Sequence, residues 1–87
     1  MEFEFDPAKS LVNKDKHGID FEEAQAIWHD EVRLQVSARL VGEPRLLTIG
    51  RIGDKCWTAV WTLRGSNLRL ISVRRARDTE IESYVGQ

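Results

Sequence analysis

At residue 32 the apolar residues change their spacing, and that change dictates what the chain can fold into. From there Val32, Leu34, Val36 and Ala38 alternate with Arg33, Gln35, Ser37 and Arg39, the pattern of a half-buried strand. Three further runs follow, Arg45 to Ile52, Cys56 to Leu63 and Leu68 to Arg75, separated by Gly42-Glu43-Pro44, Gly53-Asp54 and Arg64-Gly65-Ser66-Asn67. Turn chemistry this tight joins only antiparallel neighbours. Residues 32–75 therefore predict a four-stranded meander.

Before residue 32 the spacing is helical. Phe3 and Phe5 read as a brief strand, Asp6 as an N-cap and Pro7 as a first helical residue, where its missing N–H costs nothing. Ala8, Leu11 and Val12 then recur at helical spacing, and Lys14, Lys16 and His17 in the last turn precede Gly18 at the C′ position. Asp20 and Glu23 form an acidic capping box, with Ile19 placed to staple onto Ala24, opening a second helix through Ala26, Ile27 and Trp28 that ends at His29-Asp30. At the other end of the chain, Thr79 to Val85 predicts a short helix, with Thr79 and Glu82 as its capping box and Ile81, Tyr84 and Val85 on one face.

The expected fold is α+β over residues 1–87 as one domain: a small antiparallel four-stranded sheet plus the short N-terminal strand, two N-terminal helices and a short C-terminal helix. The N-terminal helices should cover one sheet face, because Leu11, Ile27 and Trp28 have nowhere else to be buried. Along the third run Trp57, Ala59, Trp61 and Leu63 point one way and Cys56, Thr58, Val60 and Thr62 the other. Both faces are partly apolar, so the second face is left for function and for a partner chain.

With 87 residues there is room for one modest core. No apolar run approaches the roughly 18 residues of a membrane span, and Met1-Glu2-Phe3-Glu4-Phe5-Asp6 has no signal-peptide character. The expected location is cytoplasmic, away from membranes. Cys56 is the single cysteine; it excludes an intramolecular disulfide and reads as a small buried hydrophobe.

Net charge is −1, but its distribution is uneven: residues 1–31 carry nine acids and three bases, residues 32–77 ten bases and two acids, and residues 78–87 three acids and no base. Between Arg64 and Arg77 lie five arginines and no acid. Such a stretch can present a basic surface on a protein that is not basic overall.

Other chemistries find no support. His17 and His29 have no partner at ligand spacing, so no metal site is expected. Ser66, Ser72 and Cys56 have no activating neighbours for nucleophilic catalysis, and Gly50-Arg51-Ile52-Gly53 lacks what a phosphate loop needs. No cofactor is expected. His17, beside Lys16 at a helix end, serves equally as a dipole-compensating cap or a proton-transfer group.

The arginines remain. Arg69, Arg74 and Arg75 lie on the last strand and its end, Arg64 at the preceding turn and Arg77 just beyond, and they are expected to converge. Strict alternation puts Arg69, Ile71, Val73 and Arg75 on one face and Leu68, Leu70, Ser72 and Arg74 on the other, so Arg74 and Arg75 diverge. A guanidinium fork grips two phosphate oxygens and keeps its charge, which suits RNA scission by the neighbouring 2′-hydroxyl. The same fork serves plain nucleic-acid binding or a salt bridge to an acidic partner.

Two separated segments carry a family likeness. Phe5-Asp6-Pro7-Ala8-Lys9 with Asn13, Lys16-His17-Gly18-Ile19 and Phe21-Glu22-Glu23-Ala24, then Arg69, Ile71-Ser72 and Arg74-Arg75-Ala76 with Glu80 and Tyr84, resemble the BrnT family of bacterial toxins over nearly the whole chain. The resemblance implies a RelE-like ribonuclease toxin of a type II toxin-antitoxin system, acting on RNA without a metal and inhibiting translation and growth. It also implies neutralisation by a BrnA-like antitoxin, through which alone the complex would reach operator DNA. Carried over residue by residue, it implies Arg64 and Arg74 on the scissile phosphate, Arg69, Arg75 and Lys16 on phosphates, and His17 or Tyr84 handling protons. Asn13, Gly18 and Ser72 match as structural residues: a helix-end contact, a left-handed cap and a strand hydrogen bond. The competing readings are a catalytically degenerate homologue, acting as an antitoxin-binding corepressor or RNA-binding module, and a structural subunit with no nucleic-acid role.

Overall fold

A computed structural model describes residues 2–38 and 44–87. Along them run β1 (Phe3–Glu4), α1 (Pro7–His17), a 3₁₀ helix (Glu23–His29), β2 (Leu34–Ala38), β3 (Arg45–Ile52), β4 (Lys55–Arg64), β5 (Asn67–Arg75) and α2 (Asp78–Val85). The strands form one sheet in the order β1-β5-β4-β3-β2. β2 to β5 are the expected antiparallel meander, with the Gly42-Glu43 part of the first turn outside the described residues. The sheet is nevertheless mixed rather than antiparallel throughout, because β1 pairs with β5 in parallel, Phe3 beside Leu68 and Glu4 beside Arg69. No tight turn ties β1 to β5, so nothing forces an antiparallel approach.

The caps of α1 form as expected: Ala8 N–H donates to Asp6 Oδ1 at 2.9 Å, and Gly18, at φ 82°, donates its N–H to the Lys14 carbonyl. The acidic box also forms, with Glu22 and Glu23 N–H donating to Asp20 Oδ1 and Asp20 N–H to Glu23 Oε1. What it opens is a 3₁₀ helix rather than an α-helix. A three-residue repeat stacks Ala24 directly under Ile27, and both are fully buried. These two press on the sheet face that carries Trp57, Ala59 and Trp61, with Ile19 and Phe21 completing the core.

The expected burial of Leu11 does not occur. Leu11 is 73% exposed and Val12 62%, while Ser10 and Asn13 are the buried residues of α1. The helix lies along β5 rather than over a sheet face, and its polar side chains complete backbone hydrogen bonding there. Ser10 Oγ accepts from Phe21 N–H. Asn13 donates from Nδ2 to the Ile19 and Val73 carbonyls and accepts from Val73 N–H at Oδ1, so its amide pairs with β5 as a strand residue would.

Strict alternation along β5 is also broken. Val60 pairs with Ser72 but Trp61 with Leu70, which leaves Ile71 as the extra residue of a β-bulge. Leu68, Leu70 and Val73 thereby all reach the core face. α2 crosses the opposite face, tied to β4 by Thr58 Oγ1 donating to Glu80 Oε1. Its N-cap is Arg77, not Thr79, since Arg77 N–H donates to Glu80 Oε1 at 2.8 Å.

Candidate nucleic-acid interface

The bulge decides which arginines meet. With Ile71 as the extra residue, Arg69 pairs with Thr62 and Arg74 with Thr58, while Arg64 pairs with Asn67. Thr58, Thr62 and Arg64 alternate along β4 with the core residues Trp57, Ala59 and Trp61, so Arg64, Arg69 and Arg74 share the face opposite the core. This corrects the sequence expectation, which put Arg69 with Arg75. The four β4 steps between Thr58 and Thr62 set Arg69 and Arg74 about 13 Å apart along the strand.

Arg75 goes to the other face, paired with Trp57, its guanidinium carbon 5.5 Å from the Trp57 ring centroid. A cation–π contact accounts for its position there. The expected single convergence of arginines is therefore not what the fold builds.

Each of these three arginines meets a carboxylate of the domain itself. Arg74 donates from Nη1 and Nη2 to the two oxygens of Glu80 at 2.7 and 2.9 Å, and from Nη1 to the Arg75 carbonyl. The Arg74 fork, helped by Arg77 N–H and Thr58 Oγ1, overcomes burial and holds the Glu80 carboxyl down at about 2. At the opposite end Arg69 Nη1 lies 3.3 Å from Glu4 Oε1 and Arg64 Nε 3.9 Å from the same oxygen. Asn67 Nδ2 donates to Glu4 Oε2 at 3.2 Å. Asn67 and the two arginines lower the Glu4 carboxyl from its usual range against a desolvation that raises it.

Between these ends a groove of about 250 Å³ opens along α1, lined by Lys9, Val12, Asn13, Lys16, His17, Ile71 and Ser72. α1 is held there because Asn13 anchors it to Val73. Lys16 and His17, expected as functional residues, thus stand beside the middle of β5, between Arg69 and Arg74. Ser72, expected to be structural, faces the groove from the strand.

Tyr84 does not join this group. Its hydroxyl donates to Asp30 Oδ2, an oxygen that also accepts from Arg51 N–H. The Asp30 bond, together with burial, pushes the phenol up to about 12. Tyr84 thus ties the end of α2 to the loop before β2, and it is not among the residues that line the groove of His17. Burial pushes the Cys56 thiol up, as suits a packed hydrophobe. Among the described residues no cluster of three or more His, Cys, Asp or Glu could hold a metal ion, and no helix is long and apolar enough to cross a membrane.

Sequence reasoning passed over Glu4 and Asn67. Their one signal was the parallel pairing of a two-residue strand, too short to read. Glu80 was visible as part of the family-like motif but not as the partner of Arg74.

The sequence model of one protein family matches residues 5–80; that family is described as a ribonuclease toxin, BrnT, of type II toxin-antitoxin systems. No curated protein matches the chain.

Proposed function

The chain belongs to the BrnT ribonuclease toxins of type II toxin-antitoxin systems, and from that premise we propose that it is an endoribonuclease whose active surface is the open face of β4 and β5. The observation that carries this reading is the bulge at Ile71, which brings Arg69 and Arg74 together on the side of the sheet that carries Arg64, beside the groove of Lys16 and His17. In the proposed reaction the RNA 2′-oxygen attacks the adjacent phosphorus and the 5′-oxygen leaves. His17 takes the 2′-hydroxyl proton and returns one to the leaving oxygen.

Charge builds on the phosphoryl oxygens in the transition state, and fixed guanidinium donors stabilise it most when they need not reorganise. Glu80 takes two N–H donors of Arg74 and the Arg75 carbonyl a third, leaving two of the five for a phosphate. Arg64 and Arg69 hold flanking phosphates, with Lys16 on the other side. No step requires a metal. Cutting of mRNA by this surface would stop translation and growth. A BrnA-like antitoxin that covers the open face would neutralise the chain and carry the complex to operator DNA in the cytoplasm.

Incubating the antitoxin-free chain with single-stranded RNA in excess chelator tests the reading. The expected result is internal cleavage leaving 2′,3′-cyclic phosphate ends; intact RNA overturns it. A non-catalytic, antitoxin-binding role draws on a specific observation too, since both ends of the arginine row are met by the domain's own carboxylates. It predicts antitoxin binding with no fragments in the same assay.

A further inference from the structure

The two carboxylates that meet the arginine row are not equivalent. Glu80 is only 13% exposed in its side chain, receives both nitrogens of one fork at 2.7 and 2.9 Å, and is braced by Thr58 and the Arg77 N–H. An anion arriving from solvent would have to displace four donors at once. Glu4 is 30% exposed and its contacts are long and single: 3.3 Å to Arg69, 3.2 Å to Asn67 and 3.9 Å to Arg64, whose own side chain is 60% exposed. It rides on a strand of two residues. Donors from three side chains thus surround two oxygens of one loosely held anion, a donor set that fits the non-bridging oxygens of a phosphodiester.

We propose that the Arg64–Asn67–Arg69 corner is a phosphate subsite for single-stranded nucleic acid, and that the Glu4 carboxylate occupies it as an internal competitor which the incoming polyanion must displace. The inference rests on reading the open face as RNA-binding but not on cleavage. Asn67 joins the site as a neutral donor that carries no charge of its own, and Glu4 tunes affinity by weakening the pull of two arginines on phosphate.

Binding of a short single-stranded deoxyoligonucleotide, which lacks the 2′-hydroxyl and cannot be cut, separates this inference from the catalytic reading. Glu4→Gln is expected to tighten binding about two- to fivefold at low salt, the effect of releasing one partly exposed ion pair. It should also steepen the dependence of log affinity on log salt by about 0.7, the mark of one further phosphate contact on a single strand. In the Glu4→Gln/Arg69→Gln double variant both gains should vanish. Unchanged or weaker binding by Glu4→Gln overturns the proposal, as does a gain that survives loss of Arg69, because the effect would then be that of net charge alone.

In the unaltered chain, NMR titration with the same oligonucleotide should move the Asn67 side-chain amide signals while those of the buried Asn13 stay in place. Movement of neither, with binding present, overturns the subsite even if the variants fail to fold. Cleavage of RNA by a chain in which Glu4→Gln changes nothing refutes this inference alone. Tighter binding by Glu4→Gln in a chain that cuts no RNA refutes the catalytic reading alone.

Discussion

The Arg74 guanidinium and the Glu80 carboxylate meet edge to edge, two nitrogens opposite two oxygens, across six residues of chain. The pair spans the exit of β5 and the first turn of α2, so it fixes the angle at which the C-terminal helix crosses the sheet. It also fixes Arg74. A guanidinium held by a carboxylate on one edge has one orientation left for its remaining donors, which is what a group acting on a developing phosphorane requires.

Removing the carboxylate should therefore cost stability first. Glu80→Ala leaves the Arg74 fork, Thr58 Oγ1 and the Arg77 N–H without their acceptor, and is expected to lower unfolding free energy by about 2–3 kcal/mol. The pH dependence has a definite sign. Glu80 is held at about 2 instead of 4.5, a depressed value, so its contribution is complete above about 4.5 and disappears as pH falls through about 2. Urea unfolding of the two proteins between pH 7 and pH 2 checks this: the gap between them should close only in acid. A gap that is constant with pH would mean that the ion pair does not carry it.

Tyr84 predicts the opposite slope. Its phenol is raised from 10.0 to about 12, so its bond to Asp30 stabilises the fold fully below pH 10 and fades as the pH rises through about 12. Tyr84→Phe should cost about 1–2 kcal/mol near neutrality, with the difference from the parent chain shrinking in alkali. The loss should appear in thermal unfolding while RNA cleavage at saturating substrate keeps its rate. A collapse of cleavage without loss of stability would give Tyr84 a part in the reaction.

The two faces of the sheet make a third prediction. Arg64 lies on the open face and Arg75 on the Trp57 ring of the other, so their alanine variants should separate. Arg64→Ala is expected to lower cleavage at subsaturating RNA by about tenfold, through weaker binding, the loss of one charge-assisted contact to a flanking phosphate. Arg75→Ala should leave it nearly unchanged and cost less than about 1 kcal/mol in stability, the worth of an exposed cation–π contact. Growth arrest on expression, followed by single-turnover cleavage of RNA, measures both.

Where the controlling contacts lie within a few residues, this architecture could be read directly. Asp6 and Gly18 mark the ends of α1, the Asp20–Glu23 box opens the next turn, and period-two alternation with short turns marks β2 to β5. What stayed hidden depends on partners far along the chain. Asn13 finds Val73 sixty residues away, and without that contact α1 reads as an amphipathic helix that ought to bury Leu11. The bulge at Ile71 has no glycine or proline to announce it; it follows from Leu68, Leu70 and Val73 all being needed in one core. The start of α2 reads from the sequence as a Thr79–Glu82 box, but Glu80, drawn to Arg74 and to the Arg77 N–H, sets it two residues earlier. For the candidate site, the residue types were legible and their grouping was not, because the grouping is set by that bulge.

Asn13 joins fold to function and gives the last prediction. Its side chain makes three buried hydrogen bonds to backbone groups, at Ile19 and at both polar atoms of Val73. Asn13→Leu keeps the volume but leaves these groups buried and unpaired, at an expected cost of about 3 kcal/mol. Asn13→Asp should be worse at neutral pH, since a carboxylate would face the Ile19 and Val73 carbonyl oxygens with no proton to offer, and should recover in part in acid, where the carboxyl becomes a donor. Because the same contact sets α1 against β5, both variants should also loosen Lys16 and His17 from the strand. RNA affinity should fall at temperatures where the chain is still folded, and hydrogen exchange at the Val73 amide should speed up with it. Weakened affinity with the Val73 amide still protected would mean that α1 is positioned by something other than Asn13.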